Sequence, residues 1–200
     1  MKIRLIVFLL LTTKTVFSQL YPVNETTIDA SFINEEFKEV KVNAFAISNL
    51  ITVKEFKEYL DAVQNDSTEV YFNSQLPTSR NFPKELVQII LTDPALQNKP
   101  IPGVSWSVAR NYCNWLSKKS KNPEVEYDLP YVSELIAYND LYGTLKDSEL
   151  ESWSLNSYDE SMLEISNSIN YSYSANDTDP PALKRKVIYG GSYHMAYDVG

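Results

Sequence analysis

The sequence is poor in cysteine, histidine and glycine, and each shortage argues against a class of function. Its 200 residues hold one cysteine, one histidine and five glycines. A single cysteine cannot form an internal disulfide, so we expect the hydrophobic core to hold the fold together. One histidine cannot build a histidine-rich metal site. So few glycines disfavour a phosphate-binding loop, because such a loop needs close approach of the backbone.

Positive charge and long apolar runs are also scarce. The net charge is −8 at pH 7, and an acidic protein repels nucleic acid and anionic lipid. Beyond the N-terminus no apolar stretch is long enough to cross a bilayer, so no transmembrane anchor is expected. The length and the 44% hydrophobic content predict one globular domain with a sizeable core. A protein or a peptide is the partner that these properties favour.

The first 18 residues have the pattern of a signal peptide. Lys2 and Arg4 form a positive start, residues 5–11 are apolar, and Ser18 precedes the predicted cleavage point. No cysteine lies at that point, so a lipid anchor is not expected. The pattern predicts export to the periplasm or the extracellular space.

The next residues, 19–38, are interpreted as a polar lead-in, and residues 39–200 as the domain. Alternating apolar side chains predict a strand over residues 39–47. Residues 145–185 are acidic and weakly periodic, which predicts long loops with short strands. A further short strand is predicted over residues 186–189.

Four helices are predicted from capping residues and apolar periodicity. The first begins at Thr52, which has capping-box spacing to Glu55. The second covers residues 83–91, the third is capped by Ser107, and the fourth runs over residues 132–141 with a glycine cap. Apolar residues share one face of the first helix: Val53, Phe56, Tyr59, Leu60 and Val63. The corresponding stripe of the third helix consists of Val108, Ala109, Tyr112, Cys113 and Leu116.

Four short segments, in this order, carry a resemblance to a known family. They are Val42-Asn43-Ala44-Phe45-Ala46-Ile47 with Thr52-Val53-Lys54-Glu55-Phe56, then Pro102 to Leu116 (PGVSWSVARNYCNWL), then Leu129-Pro130 with Glu134, and finally Gly190-Gly191-Ser192-Tyr193. Over about residues 40–193 the chain resembles the formylglycine-generating enzyme, or sulfatase-modifying factor, domain family. The second segment is the most specific of the four.

The resemblance implies an α+β fold related to C-type lectins, with few regular elements and long ordered loops. It implies for the family's enzymes a copper- and oxygen-dependent oxidation of a substrate cysteine to formylglycine by a pair of C-terminal cysteines. Structural calcium is common in the family. One branch uses iron to make sulfoxides, and another consists of non-enzymatic lipoproteins of gliding-motility and secretion machinery.

The sequence departs from the enzymes at several of these positions. Only eight residues follow Ser192, and none is a cysteine. Asp128 stands where the family usually has arginine, and Leu135 where it usually has tryptophan. The chain has therefore either diverged from the enzymes or been truncated.

Most residues that carry the resemblance are expected to be structural. Cys113 lies on the apolar stripe of a helix, where a cysteine behaves as a small hydrophobe. The residues assigned to the structural motif are Trp106, Tyr112, Cys113, Trp115, Leu129, Pro130, Glu134, Gly190, Gly191 and Ser192.

Candidate metal ligands are few. Asn176, Asp177 and Asp179 offer oxygen ligands for calcium, and Asn139 with Asp140 is a second possibility, although neither has a recognised calcium-loop pattern and a solvated acidic turn is the commoner explanation of each. The single histidine, His194, could not form a zinc or iron site alone.

Three functions remain open at this stage. The first is an exported non-catalytic binding or scaffold protein, linked in one version to gliding or secretion machinery. The alternative is a copper-dependent oxidase whose catalytic C-terminal segment is missing here. A calcium-dependent carbohydrate or peptide binder is the third. If a closing segment is missing, we expect a mobile or exposed edge around residues 187–200.

Overall fold

The computed structural model describes most of the chain up to residue 159 and shorter pieces beyond it. The described ranges are residues 20–29, 31, 39–77, 84–120, 122–143, 151–159, 164–165, 186–190 and 196–198. Helices and strands occupy separate stretches of the sequence, and the regular elements are few. The α+β prediction is therefore confirmed. By its internal contacts the chain divides into two compact units, residues 1–48 with 129–200 and residues 49–128.

The first unit opens with two small antiparallel sheets. β1 (Leu20–Val23) pairs with β4 (Phe45–Ser48), and β2 (Thr26–Ile28) pairs with β3 (Val40–Val42). The strand predicted over residues 39–47 is therefore two strands. Each of the two strands is hydrogen-bonded to a different upstream strand, so the alternating apolar pattern of residues 39–47 is shared between two sheets.

The segment interpreted as a polar lead-in contributes β1 and β2 to these sheets. Val23 and Ile28 point into the core and are almost completely buried. The sequence interpretation missed both strands because each is short and has one fully buried apolar residue. Strand formation here depends on partner residues that lie between 12 and 28 positions further along the chain, which local propensity does not report.

The helix α5 (Val132–Tyr142) fills the core of this unit and packs against β2 and β3. It is buried on several faces, as expected of a helix that is apolar nearly all round. Gly143 ends it in the left-handed conformation, with φ of 66°, and donates its N–H to the carbonyl of Asn139 at 2.8 Å. The predicted glycine cap is confirmed. Buried core residues of the unit are Val23, Ile28, Val40, Val42, Val132, Leu135, Ile136, Ala137 and Tyr138.

A four-stranded antiparallel sheet belongs to the same unit. Its strands are β5 (Glu151–Asp159), β6 (Glu164–Ile165), β7 (Lys186–Gly190) and β8 (Ala196–Asp198), in the order β6-β5-β7-β8. β7 is paired on both sides, so the exposed edge expected from residue 187 onward is wrong for this strand. Among the described strands, β8 lies at that edge.

The second unit is helical. α1 (Val53–Asp66) begins with the predicted capping box, in which Glu55 Oε2 accepts from the Thr52 N–H at 2.8 Å. All five residues of its predicted apolar face are buried. α3 (Lys84–Thr92) lies within one residue of its prediction at each end. α2 (Glu69–Ser74) was not predicted, because its six residues are too few to show a helical period.

The helix α4 (Trp106–Lys119) corrects one predicted cap. Ser105, not Ser107, is the N-cap, and its hydroxyl accepts from the Val108 N–H at 3.4 Å. Ser107 is exposed and lies inside the first turn, within 3.1 Å of the Ser105 hydroxyl. Both serines precede the same apolar stripe, so spacing alone does not separate them.

Candidate functional site

The thiol of Cys113 is the first candidate for chemistry, because it is the single cysteine of the sequence. It lies in the middle of α4 and is half-buried. Burial, with a smaller contribution from the carboxylate of Asp128, raises the pKa of the Cys113 thiol to about 12, while Arg110 acts in the opposite direction. At neutral pH the side chain is therefore the thiol, which is a poor nucleophile and a poor metal ligand compared with the thiolate.

Arg110 and Asp128 form an ion pair beside this thiol. Arg110 Nε lies 2.9 Å from Asp128 Oδ1, and Nη2 donates to Oδ2 at 3.2 Å. The guanidinium also lies over the ring of Trp106, 5.3 Å from its centroid. The sequence comparison singled out Asp128 as a departure from the family, and the structure supplies the cation that balances it.

The aromatic residues of α4 belong to the core of the helical unit. Tyr112 lies 5.9 Å from Phe56 and 5.7 Å from Tyr59 between ring centroids, and Trp115 lies 5.6 Å from Tyr59. Burial raises the pKa of both Tyr59 and Tyr112. Trp106 is buried as well. These positions give the rings a packing role.

A buried glutamine links three elements of this unit, and sequence reasoning missed it. Gln75 Oε1 accepts from the hydroxyl of Tyr59 at 2.7 Å and from Nδ2 of Asn111 at 3.0 Å. Gln75 Nε2 donates to the hydroxyl of Ser74 at 2.8 Å. Each polar atom of the buried amide therefore has a partner, as the desolvation penalty requires. No local pattern marks Gln75, because two of its three partners, Tyr59 and Asn111, come from other helices.

The motif residues of the first unit have structural positions. Glu134 Oε2 accepts from the Tyr131 N–H at 2.8 Å at the start of α5, and the carbonyl of Pro130 accepts from the Leu155 N–H at 2.9 Å. Leu129 lies beside this proline and is half-buried. Gly190 is the last residue of β7 and pairs in register with Glu151. Gly191 and Ser192 lie outside the described residues.

The candidate metal ligands are not brought together where the structure describes them. Asn176, Asp177, Asp179 and His194 all lie outside the described residues. On α5, Asn139 is buried and Asp140 is exposed, so neighbouring side chains on this helix point in different directions. Within the described part of the chain, no three side chains of His, Cys, Asp or Glu converge on a position that could hold a metal ion.

Comparison with known proteins establishes the family. Residues 23–190 match the sulfatase-modifying factor enzyme 1-like domain, which is most of the chain. The chain therefore belongs to this family, and the resemblance drawn from its motifs is confirmed. Neither the curated proteins nor the solved structures provide a significant match. Among the described residues, no helix combines the length and hydrophobicity needed to span a membrane.

Proposed function

We propose that this chain is an exported, non-catalytic binding protein that uses the sulfatase-modifying factor fold as a scaffold. Its place of action is the periplasm or the extracellular space, as the signal-peptide pattern predicts. Folds are often reused without the chemistry of their enzyme members. The net charge of −8 favours a protein or peptide partner over nucleic acid.

The surroundings of Cys113 carry this proposal. It is the only cysteine of the 200 residues. Its side chain is half-buried in α4, and burial raises its pKa above the ordinary value of 9.0, which disfavours the thiolate further. A residue used for copper-dependent oxidation would need the opposite environment, in which nearby cations and exposure favour the thiolate.

Copper does not fit the residues present around this thiol. Copper(I) prefers two or more soft ligands such as thiolate or thioether sulfur. After burial, the charged groups that affect the pKa of Cys113 are the carboxylate of Asp128 and the guanidinium of Arg110, and neither is a soft ligand. We therefore derive no reaction step through a metal at this position.

A scaffold in gliding or secretion machinery is one form that this binding role could take, since a non-enzymatic branch of the family has that role. The absence of a cysteine at the predicted cleavage point distinguishes this chain from the lipoproteins of that branch. The alternative, an oxidase completed by a segment beyond Gly200, needs a second cysteine from that segment.

Titration with copper(I) tests the environment on which the proposal rests. The full chain is mixed with copper(I) bicinchoninate, and loss of the coloured complex reports transfer of copper to the protein. We expect the protein and its Cys113→Ala variant to leave the complex unchanged. Transfer of one copper per chain, lost in Cys113→Ala, would contradict the proposal and identify Cys113 as a ligand.

A further inference from the structure

The predicted cleavage point of the signal peptide lies one residue before the first strand of the fold. The segment Val16-Phe17-Ser18 ends in a small residue, and a cut after Ser18 makes Gln19 the first residue of the exported chain. β1 begins at the next residue, Leu20. Gln19 itself lies outside the described residues, whereas β1 is described from its first residue onward.

The strand that follows Gln19 contributes to the core of the first unit. Leu20 pairs with Ser48 at one end of the β1–β4 ladder, and Val23, at the other end of β1, is only 1% exposed. Leu20 is 44% exposed, so this strand begins at the surface. Removal of residues from the start of the exported chain would therefore shorten the ladder first and then take a buried side chain out of the core.

A charged residue near the cleavage point is the feature that argues for a different cut. Lys14 lies four residues before Ser18, whereas positive charge normally belongs to the start of a signal peptide. The apolar run of residues 5–11 and the small residue at position 18 favour the cut after Ser18. A cut elsewhere within residues 12–20 would begin the chain with a residue other than glutamine, so the first residue identifies the cut.

An N-terminal glutamine carries a nucleophile and an electrophile within one residue. The α-amino nitrogen attacks Cδ of the side-chain amide, and the new N–Cδ bond closes a five-membered lactam. The bond from Cδ to the side-chain nitrogen breaks, and that nitrogen leaves as ammonia with the proton that the amine gives up. The reaction needs no oxidant and no second substrate. Part of the α-amino group is the free amine near neutral pH, and attack within one residue avoids the entropy cost of bringing two molecules together.

We propose that Gln19 becomes the N-terminal residue on export and is then converted to pyroglutamate. The mature chain thus begins with a closed lactam directly before β1. Because the lactam has no free α-amine, it withholds the group that aminopeptidases recognise, and it protects the strand that carries Val23. This inference rests on the proposed export of the chain and adds a covalent modification of its first residue.

The mass of the N-terminal peptide tests the proposal. The full chain, with its own signal sequence, is expressed in the cells that naturally make it and is isolated after export. We expect a peptide that starts at Gln19 and whose mass is lower by one ammonia than that of the unmodified sequence. Edman degradation should be blocked. After treatment with pyroglutamyl peptidase, which removes the lactam residue, it should read Leu20, Tyr21 and Pro22.

One variant and one peptide serve as controls. Gln19→Ala keeps a small, uncharged residue after the predicted cut but has no side-chain amide, so its exported chain should have an open terminus that Edman degradation reads directly. A synthetic peptide of residues 19–28 with a free α-amine is carried through the same isolation. It reports how much lactam forms during handling, and we expect much less conversion in it than in the exported chain.

The possible results separate this inference from the proposed export. A chain that starts at Gln19 with its full mass would overturn the inference and leave export standing, and so would a chain cut at another residue. Equal conversion of the synthetic peptide would overturn it too, because the lactam would then come from handling. A chain that keeps its first 18 residues would contradict export and the inference together.

Discussion

Burial decides what the side chain of Cys113 can do. The same cysteine at an exposed position would release its proton near its ordinary pKa of 9.0, whereas in α4 the pKa is raised to about 12. The thiolate is therefore disfavoured by the fold itself. A sequence can reveal that a cysteine lies on an apolar stripe, but it does not reveal the carboxylate of Asp128, which is fifteen residues away and contributes to the raised pKa.

Slow reaction of Cys113 with a disulfide reagent is the first prediction. At about pH 8 we expect labelling of the native protein to be slower than labelling of the denatured chain by about 100-fold or more, because the thiolate fraction is smaller. The control is the labelling rate of the double variant Cys113→Ala with Asn114→Cys, since residue 114 is exposed on the same helix. Equal rates in native and denatured protein would contradict the prediction.

The raised pKa also predicts a direction for stability at alkaline pH. Because the folded state holds the proton more tightly than the unfolded chain, the contribution of Cys113 is fully present below about pH 9 and is lost as the pH rises toward 12. The free energy of unfolding should therefore fall less steeply above pH 9 in Cys113→Ala than in the parent chain. Denaturant titrations at several pH values measure both slopes, and parallel slopes would refute the shift.

The ion pair of Arg110 and Asp128 is the third test at this scale. Each side chain is about one third exposed (34% and 32%), so solvent weakens the pair. We expect Asp128→Asn to lower the free energy of unfolding by about 0.5–1 kcal/mol, and less at high salt. Glu25→Gln is the control, because its pair with Lys41 is much more exposed, and it should have almost no effect. An equal effect of both changes would contradict the assignment.

Among the helices, α4 is the element where sequence and structure differ in a testable way. Ser105 accepts from the Val108 N–H as the N-cap, whereas the sequence predicts that role for Ser107. We expect Ser105→Ala to lower the free energy of unfolding by about 1 kcal/mol and Ser107→Ala by less. Thermal or denaturant unfolding of the two variants distinguishes them. A larger loss in Ser107→Ala would show that the original sequence prediction was correct.

Long periodic elements could be predicted from the sequence, and short paired ones could not. α1 and α5 combine a clear cap or stop residue with several buried positions, so local chemistry defines them. β1, β2 and α2 have three to six residues each, and their existence depends on partners distant in sequence. The same reason explains why Gln75 was missed, since its partners Tyr59 and Asn111 lie on other helices.

On the scale of the whole molecule, the family could be identified from motifs. The proposed function, by contrast, is argued from the environment of individual residues. The matched residues 23–190 establish the family, and several motif residues have positions in caps, ladders or the core. Such positions preserve a fold whether or not its chemistry is retained. The proposal of a binding protein therefore depends on the environment of Cys113 and not on the family alone.

An oxidation assay tests the central claim most directly. The full chain is supplied with copper and with a cysteine-containing peptide of the sulfatase type in air, and mass spectrometry follows the peptide. Copper without protein is the control. We predict that the peptide cysteine is converted no faster than in that control. Protein-dependent conversion of the cysteine to the aldehyde would contradict the account and establish an oxidase.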